Sequence, residues 1–584
     1  MQEQNLDTLR HTAAHIMAQA VKRIFPEAKL AIGPSIADGF YYDFQTSTPF
    51  TSQCLDDIEK EMKKIVKENL KLEKFTLPRE EAFAFVDKQN EPFKRELIEG
   101  LPEGEEATFY KQGEFTDLCA GPHLPYTKSV KAFKLLSTAG AYWRGDEKRP
   151  MLSRIYGTAF YTKDELAAHL EMLEEAKKRD HNKIGRELEY FTTVDYIGQG
   201  LPVLMPKGAK VMQILQRFVE DEEEKRGYML TKTPFMAKRD TYQVSGHWGV
   251  YRDGMFLLGS EADADDETKE MLALRPMTCP FQFQVYLAKT RSYRDLPMRF
   301  NETATLFRNE SSGSMHGLIR VRQFTLSEGH IACSPEQVEA EFKGCIELAQ
   351  FMLEKIGLLE DISYRFSKWD VANKDKYIGE ESEWEHVQGF MKKILDSTGI
   401  DYVEADGEAA FYGPKLDIQI KNVHGKEDTL ITVQIDFQLA GRFGMVYTDA
   451  NGEKHNPYII HRSSIGCYER TLALLLEKYA GAMPLWLAPV QAIVIPIAER
   501  HQEAAAAVHA QLLAAGIRAE NDPRNEKMGF KIREAQLQKI PYMLILGDKE
   551  VEENKVSVRT RTGGDEGQIG LDDLIEKLNA EATP

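Results

Sequence analysis

The chain has 584 residues and a composition typical of a globular protein, with 42% hydrophobic and 28% charged residues. A chain of this length is too long to fold around a single hydrophobic core, so about three or four domains are expected. The formal net charge of −18 excludes a generic nucleic-acid coat protein, which would be basic overall, but it leaves room for an RNA partner bound through a local basic patch.

Cysteine usage and apolar runs indicate the compartment. The six cysteines are scattered along the chain, which argues against a disulfide framework and favours a reducing environment. The first residues carry no basic-then-apolar signal pattern, and no apolar run approaches membrane-spanning length. A cytoplasmic protein that makes no membrane contact is therefore predicted.

The first region combines a helix with a loop rich in ligand-type side chains. Apolar spacing predicts a helix over residues 7–25, with two histidines one turn apart on one face. A Gly-Pro loop further along carries a cysteine and a third histidine. The four side chains are His11, His15, Cys119 and His123. Such a set is either a zinc site or a polar pocket in which imidazoles position water for hydrolysis, and the residues alone leave both open.

The next segments lead from the first region into a mixed α/β region. A heavily charged helical pattern over residues 163–188 predicts one connecting helix. Residues from about 190 to 482 alternate helices and strands. Within them, a helical segment over 211–224 leads through Gly227 to a short strand closed by Pro234, a pattern that favours a sheet edge suited to dimer contact.

Residues 300–333, in the middle of the chain, contain several charged and aromatic side chains close together in sequence. Alternating apolar residues predict two antiparallel strands joined by a long polar loop, the second strand beginning near Leu318. Arginine forks suit carboxylates and phosphates, a carboxylate accepts from an exocyclic amine, and an aromatic ring stacks on a base. A nucleotide site without a Gly-rich phosphate loop is therefore predicted from Arg308, Glu310, Arg320 and Phe324.

The C-terminal segment, residues 485–584, follows a β-α-β-α-β rhythm, which predicts a compact doubly wound domain. Its middle part, residues 524–533, is locally basic and is the favoured RNA surface on an otherwise acidic chain. Taken together, the patterns predict a multidomain protein of mixed α/β and α+β class.

Three short stretches, in this order and at this spacing, resemble the signature motifs of class II aminoacyl-tRNA synthetases. They are residues 225–234 for motif 1, 307–324 for motif 2 and 466–470 for motif 3. Over nearly its whole length the chain resembles the threonyl-tRNA synthetase family. The resemblance implies ATP-dependent attachment of L-threonine to tRNA(Thr) through threonyl-adenylate by a homodimer, with hydrolytic editing of mischarged seryl-tRNA(Thr).

The family's architecture implies four segments in this chain. They are an α+β editing domain (1–162), a connecting helix (163–188), a zinc-holding class II catalytic domain built on an antiparallel sheet (189–484), and a doubly wound α/β anticodon-binding domain (485–584). Many bacterial members begin with a small ubiquitin-like domain. Its absence is expected here, because the sequence begins almost directly at the editing helix.

The resemblance also implies how threonine is selected. The matching zinc ligands are Cys279, His330 and His461. A zinc ion with three protein ligands keeps an open position for the amine and hydroxyl of threonine, whereas nearly isosteric valine lacks the hydroxyl. Serine has one, so its rejection needs a second site, which the family places in the first region as a hydrolytic pocket, favoured here as metal-free. The implied editing residues are His11, His15, Cys119, His123, Lys94, Asp117 and Tyr42.

The other site residues are carried over position by position. The implied catalytic residues are Arg308, Arg320 and Arg470. The same three arginines would bind ATP, with Mg²⁺ bridging its phosphates, together with Glu310, Phe324 and Gln434. Threonine would be contacted by Tyr412, Glu328 and Arg308. The positions that match anticodon-reading residues are Asn525, Lys527, Arg533, Glu550 and Arg559.

Several positions depart from the family's usual residues. Phe281 and Gln282 stand where Gly-His is common, and Leu326 and Glu328 stand where a Gln and an Asp line the amino-acid pocket. These changes concern details of the pocket more than the reaction. Two alternatives stay open at this point, namely a non-catalytic tRNA-binding relative and a class II synthetase for another amino acid.

Overall fold

The computed structural model describes residues 6–146, 148–423, 425 and 427–584. These divide into two compact units, one ending at Glu174 and the other beginning at Glu175. Within the described residues, none of the helices has both the length and the apolar character needed to cross a membrane.

The first unit is an α+β fold in which a long helix packs on an antiparallel sheet. Its elements are α1 (Leu6–Ile24), β1 (Lys29–Leu30), β2 (Ser35–Ile36), β3 (Gly39–Gln45), α2 (Ser52–Glu68), β4 (Leu72–Leu77), α3 (Arg79–Lys88), α4 (Pro92–Glu99), β5 (Ala107–Gln112), β6 (Phe115–Leu118), β7 (Ala132–Tyr142) and β8 (Met151–Phe160). One sheet has the order β1-β3-β8-β7 with β2 on β3, and the other the order β4-β5-β6. Leu9, Ile16 and Met17 of α1 share a fully buried core with Phe40 and Phe44 of β3.

The single connecting helix predicted over 163–188 is wrong. The structure has two helices, α5 (Lys163–Arg179) and α6 (His181–Glu187). The side chain of Asp180 accepts hydrogen bonds from the backbone N–H groups of Asn182 and Lys183, which begins a new helix at that point. The border between the two compact units lies inside α5.

The second unit begins with the mixed α/β region. Its elements are β9 (Phe191–Thr192), β10 (Val203–Leu204), α7 (Pro206–Lys225), β11 (Met229–Leu230), β12 (Met236–Lys238), α8 (Arg239–Val244), α9 (His247–Val250), β13 (Leu257–Leu258), β14 (Leu272–Leu274), α10 (Cys279–Leu287), β15 (Arg291–Ser292), β16 (Met298–Phe307), β17 (Gln323–Cys333), α11 (Val338–Lys355), β18 (Ile362–Ser367), α12 (Glu381–Thr398), β19 (Tyr402–Ala405), β20 (Lys415–Lys421), β21 (Glu427–Asp436), α13 (Leu439–Arg442), β22 (Tyr447–Thr448), β23 (Lys454–His455), β24 (Tyr458–Cys467) and α14 (Tyr468–Lys478).

The central sheet has the order β11-β16-β17-β24-β21-β20-β18-β19. Its inner pairs are antiparallel, and the outer pairs β11–β16 and β18–β19 are parallel. The predicted pair of antiparallel strands is confirmed as β16 and β17, which are joined by a long loop. The second strand begins at Gln323 rather than near Leu318, because the residues before it form the end of the loop, where His316 bridges to Arg320.

Helices cover one face of this sheet. Leu215 of α7, Leu348 of α11 and Leu472 of α14 are fully buried in one core with Ile331 of β17 and Ile460 of β24. Because side chains alternate along a strand, His330 and His461 point to the opposite face. The apolar packing of one face of the sheet therefore decides which residues lie on the face opposite the helices.

Helix α6 is fastened to this core through His181, which is fully buried. Its Nδ1 lies 2.7 Å from a carboxylate oxygen of Glu477 on α14. Its Nε2 accepts a hydrogen bond of 3.2 Å from the backbone N–H of Leu318. The short helix thus holds the loop between β16 and β17 against α14.

The C-terminal part of the second unit confirms the predicted β-α-β-α-β order. Its elements are β25 (Ala492–Pro496), α15 (Gln502–Ala514), β26 (Ala519–Asn521), α16 (Met528–Leu537), β27 (Tyr542–Leu546), α17 (Asp548–Glu553), β28 (Lys555–Thr560), β29 (Gly564–Gly570) and α18 (Leu571–Glu581). The sheet order is β26-β25-β27-β28-β29, parallel over the first three strands and antiparallel after them. Val494 and Ile495 are buried in different apolar clusters on the two faces, as a doubly wound sheet requires.

A fully buried ion pair links the residue after β14 to strand β16. The guanidinium of Arg275 lies 3.0 Å from the carboxylate of Glu302, and both side chains are completely excluded from solvent. Arg275 also donates to the hydroxyl of Thr233 and to the carbonyl of Thr305. A buried pair of this kind is satisfied only as a unit, because either charge alone would be desolvated without a partner.

Replacing Glu302 by Gln should therefore lower stability strongly. The change keeps the shape but leaves the Arg275 charge buried without a carboxylate, at a cost of about 3–5 kcal/mol. Urea unfolding followed by tryptophan fluorescence measures it. The control is Lys238→Met, which breaks the solvent-exposed pair with Glu270 and should leave the unfolding midpoint unchanged. Equal midpoints for the two variants would contradict the bracing role of the buried pair.

Candidate functional site

The predicted nucleotide residues cluster where β16 ends and β17 begins. The backbone N–H of Arg308 donates to the carbonyl of Arg322 at 2.8 Å, which closes the base of the loop. The guanidinium carbon of Arg308 lies 5.1 Å from the ring centre of Phe324, and Phe324 is largely buried. The structure thus brings together a cation and an aromatic face, the pair needed to hold a phosphate beside a base.

Glu310 and Arg320 face each other across the same loop, with a carboxylate oxygen 2.9 Å from the guanidinium. Arg320 is about half exposed, at 53% of its side-chain surface, whereas Glu310 is 13% exposed. Arg470 lies behind them and donates to the carbonyls of Ile319 and Thr429. An arginine has five N–H donors, so Arg470 can brace the loop and still offer donors to an anion.

Motif 3 contains a glycine that the neighbouring strand requires. Gly466 has a φ of +76°, and a Cβ there would lie 2.2 Å from the carbonyl oxygen of Leu430 on β21. The glycine is therefore required by the close approach of the adjacent backbone.

The three predicted zinc ligands meet on the face of the sheet opposite the helices. His330 lies directly across from His461 in the β17–β24 register, and their ring centres are 4.6 Å apart. Cys279 is the first residue of α10 and faces the two histidines from there. One ligand atom from each residue lies within 4.8 Å of the other two, and all three residues are buried.

The hydrogen bonds around these residues suit metal binding. His330 Nδ1 lies 2.6 Å from the Oε1 of Gln282, and His461 Nε2 lies 2.9 Å from Asp436. The Nε2 of His330 is buried and has no hydrogen-bond partner among the described residues. Burial, followed by Glu328 and Asp436, raises the pKa of the Cys279 thiol well above its usual value. A cation would reverse that shift, because a coordinating cysteine binds as a thiolate.

The predicted amino-acid pocket adjoins the three ligands. The Tyr412 hydroxyl donates to the Oε1 of Gln434 at 2.5 Å, and its ring centre is 4.9 Å from that of His461. Glu328 accepts from the backbone N–H of Thr278 and lies 3.7 Å from His330. Burial raises the pKa of Glu328. The structure therefore places Tyr412 and Gln434 next to His461, and Glu328 next to His330.

The predicted editing residues also converge, within the first unit. Cys119 Sγ lies 3.2 Å from the Nε2 of His11 and 3.3 Å from the Nε2 of His123. The ring centres of His15 and His123 are 4.1 Å apart. The helix–loop interpretation is confirmed, because His11 and His15 lie on α1 and the other two residues lie in the loop after β6.

An acidic centre lies beside this cluster. Asp117 lies 2.7 Å from the ammonium of Lys94, accepts from the Tyr42 hydroxyl at 2.5 Å and lies 3.6 Å from the Nε2 of His15. These four residues and Cys119 line a cavity of about 270 Å³ together with Ile32, Gly33, Pro34, Leu97 and Leu118. Five of the seven predicted side chains thus line one polar pocket, and the other two, His11 and His123, contact Cys119.

Burial sets the protonation states in this pocket. Desolvation lowers the pKa of His11, His15 and His123 below the usual value for histidine. Desolvation also raises the pKa of the Cys119 thiol to about 11. At neutral pH the cluster therefore consists of neutral imidazoles and a protonated thiol. Neutral imidazoles can accept or donate a proton and position water.

The predicted anticodon residues are spread over the C-terminal domain. Asn525, Lys527 and Arg533 are exposed on and before α16. The Glu550 carboxylate accepts from Ser557, Gln568 and the backbone N–H of Gly547, so it closes α17 onto the β28–β29 hairpin. Arg559 is partly buried on β28.

The locally basic segment 524–533 is less basic at its surface than the sequence indicates. Lys531 is buried and donates to the carbonyls of Pro496 and Asp522. Arg524 is paired with the carboxylates of Asp522 and Glu534. The positive charge available to RNA there is that of Lys527 and Arg533.

Comparison with known families matches all three regions. Residues 261–479 match the tRNA synthetase class II core domain (G, H, P, S and T), and residues 491–581 match the anticodon binding domain. Residues 107–156 match the threonyl and alanyl tRNA synthetase second additional domain.

Curated relatives match over almost the entire chain. A threonine–tRNA ligase from Clostridium botulinum is 61% identical over 576 residues, covering 99% of this chain and 89% of the relative. One from Clostridium perfringens is 60% identical over 571 residues, covering 98% and 88%. One from Halalkalibacterium halodurans is 48% identical over 583 residues, covering 99% and 89%. The chain belongs to the threonyl-tRNA synthetase family.

A solved structure agrees with this membership. It is described as the RNA binding domain of threonyl-tRNA synthetase from Cryptosporidium parvum, and it is 33% identical, with a TM-score of 0.65 over 69% of this synthetase and 99% of that chain. The resemblance stated from the three motifs is therefore confirmed. The class II core, the anticodon-binding domain and the additional domain expected from it are confirmed as well.

The structure adds site residues that the sequence reasoning did not assign. Gln282 was noted only as a departure, yet it contacts His330. Asp436, the last residue of β21, contacts His461. His247 stacks edge-on against Phe411, and burial lowers its pKa to about 3. An acid at the end of a buried strand is a usable sequence signal, whereas the other two contacts depend on the fold.

The protonated state of Cys119 can be tested by its reactivity. With a pKa of about 11, roughly one thiol in a thousand is ionised at pH 8, so alkylation by iodoacetamide should be slow. The rate should rise about tenfold per pH unit up to pH 10, because the thiolate is the nucleophile. Mass spectrometry of the Cys119 peptide measures the rate, and the urea-unfolded synthetase is the control. Fast labelling that does not change with pH would instead indicate a stabilised thiolate.

Proposed function

We propose that this synthetase attaches threonine to tRNA(Thr) through threonyl-adenylate and hydrolyses mischarged seryl-tRNA(Thr). The observation that carries the first activity is the buried cluster of Cys279, His330 and His461 beside the predicted ATP residues. The observation that carries the second is the separate polar pocket of the first unit, which lies in a region matching the second additional domain.

Cys279, His330 and His461 are proposed to hold one Zn²⁺ per chain. Their donor set suits zinc, and each imidazole already has a hydrogen-bond partner that leaves its other nitrogen for a metal. Bound there, Zn²⁺ would supply a Lewis acid with an open position for the amine and hydroxyl of threonine. Glu328, 3.7 Å from His330, is placed to accept from the substrate amine. Valine lacks the hydroxyl, so it could not make the hydroxyl contact with Zn²⁺ and would be rejected.

The activation step is proposed to rest on positioning and charge neutralisation. Arg308 would hold the substrate carboxylate and the α-phosphate, and Phe324 would stack on adenine. Glu310 would accept from the adenine amine once Arg320 moves from it to the phosphates. Arg470 is proposed to contact ATP while bracing the loop, and Gln434 to lie near the nucleotide. ATP brings Mg²⁺, as in class II synthetases generally.

The editing step is proposed to use the polar pocket without a metal. Lys94, Asp117 and Tyr42 form a fixed network that can hold the seryl hydroxyl or amine. The neutral imidazoles of His11, His15 and His123, beside Cys119, can position the attacking water and move its proton. We assign this activity to residues 1–162 and the synthetic activity to residues 189–484.

Partners follow from exposed surfaces. Met229 and Leu230 of edge strand β11 are 43% and 64% exposed, and Phe235 and Met236 are exposed beside them. We infer that this apolar edge pairs with a second copy, giving a homodimer. Asn525, Lys527, Arg533, Glu550 and Arg559, in the domain of residues 485–584, are proposed to read the anticodon of tRNA(Thr), and the cytoplasm is the proposed location.

The first test is amino-acid-dependent ATP–pyrophosphate exchange. Threonine should support exchange, serine should support some, and valine should support little, because a site that bonds the hydroxyl rejects its absence strongly. Cys279→Ala should lose exchange with threonine together with bound zinc. The matched control is Cys345→Ala, a buried thiol in the helix-side core, which should keep both. No exchange with any of the three amino acids would overturn the proposed activity.

The second test isolates the editing pocket. His123→Ala should slow hydrolysis of preformed seryl-tRNA(Thr) by about 10²-fold or more, because a positioned proton acceptor is lost. Threonine activation should be unchanged, since His123 lies in the other compact unit. The control is His169→Ala, a histidine of the first unit that packs on Phe160 and lies outside the cluster of His11, His15, Cys119 and His123. Unchanged hydrolysis in the His123 variant would place the editing chemistry elsewhere.

A further inference from the structure

We propose that Thr231 and Gln282 form a hydrogen-bond relay that fixes the metal-binding tautomer of His330, so that a chain segment next to edge strand β11 controls the affinity of the zinc site. The proposal rests on the zinc site proposed above. It assigns a positioning role to Gln282.

The relay is a continuous row of hydrogen bonds, buried between Gln282 and His330 and partly buried at Thr231. Gln282 is completely excluded from solvent, and its Oε1 lies 2.6 Å from the Nδ1 of His330. Its Nε2 donates to the hydroxyl oxygen of Thr231 at 2.8 Å. That hydroxyl donates in turn to the backbone carbonyl of Asn301 at 2.9 Å. The row therefore runs from β16, through the residue after β11 and the second turn of α10, to a proposed metal ligand.

The direction of this row follows from the number of protons available. A carbonyl oxygen only accepts, and a hydroxyl has one proton to donate. Since the proton of Thr231 is used on Asn301, its oxygen must accept from the amide nitrogen of Gln282. The Glu302 carboxylate, 3.4 Å from the same hydroxyl, is also an acceptor, so either choice directs the proton away from Gln282.

The orientation of the Gln282 amide then decides the state of His330. Because the amide nitrogen faces Thr231, the amide oxygen faces His330, whose Nδ1 must carry the proton. The other ring nitrogen, Nε2, keeps its lone pair, and it has no partner among the residues that the structure describes. A reversed amide would force the proton onto Nε2 and block metal binding at that atom.

A neutral residue at this position also limits the buried negative charge. His461 is held by a carboxylate, Asp436, and the carboxylate of Glu328 lies 3.7 Å from His330. A further carboxylate beside His330 would add a third acid to a site that already contains the Cys279 thiol. Glutamine supplies the required acceptor without that charge.

The test is the zinc affinity of the full-length synthetase, measured by competition with a chelator of known zinc affinity. Gln282→Met keeps the size but removes the acceptor, and it should weaken zinc binding by about 10–100-fold. Gln282→Glu keeps an acceptor for His330 but adds a buried charge, so its zinc affinity should lie above that of the Met variant and below that of the original. Thr231→Val leaves the amide free to rotate, and its affinity should fall between those of the original and the Met variant.

The matched control is Gln419→Met. Gln419 is also buried in the central sheet and also donates to a threonine hydroxyl, that of Thr429, but it does not contact the ligand cluster. Its zinc affinity should be unchanged. Cobalt substitution adds a second readout, because the visible bands of Co²⁺ report the ligand set, and the Met variant should alter them while the control does not.

The outcomes separate this inference from the zinc site itself. If the original chain binds no zinc, or Cys279→Ala binds as much, the proposed zinc site is wrong. If the original chain binds one zinc and Gln282→Met binds it equally tightly with unchanged cobalt bands, the relay is wrong and the site stands. Equal weakening in Gln282→Met, Gln282→Glu and Gln419→Met would reduce the effect to general destabilisation and would also overturn the relay.

Discussion

The register between strands β16, β17 and β24 is the constraint on which the catalytic site depends. It sets His330 opposite His461 and Phe324 opposite Leu306, while Ile331 and Ile460 face the helices. Side chains alternate along a strand, so a slip of one residue in β17 or in β24 would turn the imidazole of that strand into the apolar core. The burial of one face of the sheet therefore fixes the chemistry on the other face.

Two clusters of the same ligand types differ in what surrounds them. In the core, each imidazole has its own acceptor, Gln282 or Asp436, so that both rings present a lone pair towards Cys279. In the first unit the nearby acid, Asp117, is occupied by Lys94 and Tyr42. The first arrangement favours a metal, and the second favours a neutral pocket that holds water and a small polar substrate.

The sequence predicts what repeats along the chain and misses what depends on neighbours in space. Periodicity predicts α1, the antiparallel pair β16–β17 and the C-terminal β-α-β-α-β order, because each follows from a run of local choices. The break at Asp180 is hidden by charged residues that continue the helical pattern on both sides. The role of Gln282 depends on His330, which lies far along the chain, and three-dimensional contact alone brings them together.

The candidate site residues also differ in how much of their role the sequence could predict. The three proposed zinc ligands could be named because each of them lies beside a recognisable motif. The sequence could not show how much positive charge residues 524–533 expose to solvent. A basic side chain looks the same in sequence whether it reaches solvent, as Lys527 does, or turns inward, as Lys531 does. Glu550 likewise matches a family position, and only its three hydrogen bonds reveal that it also closes α17.

His181 determines where a self-sufficient catalytic fragment can begin. Its imidazole is the partner of two groups in the core, the backbone N–H of Leu318 and the carboxylate of Glu477. A fragment starting at residue 189 would remove that partner from both groups, at about 1–3 kcal/mol for the amide and more for the charge. An excised core that keeps its adenylation loop in shape must therefore start at or before Asp180, which carries the first turn of α6 with it.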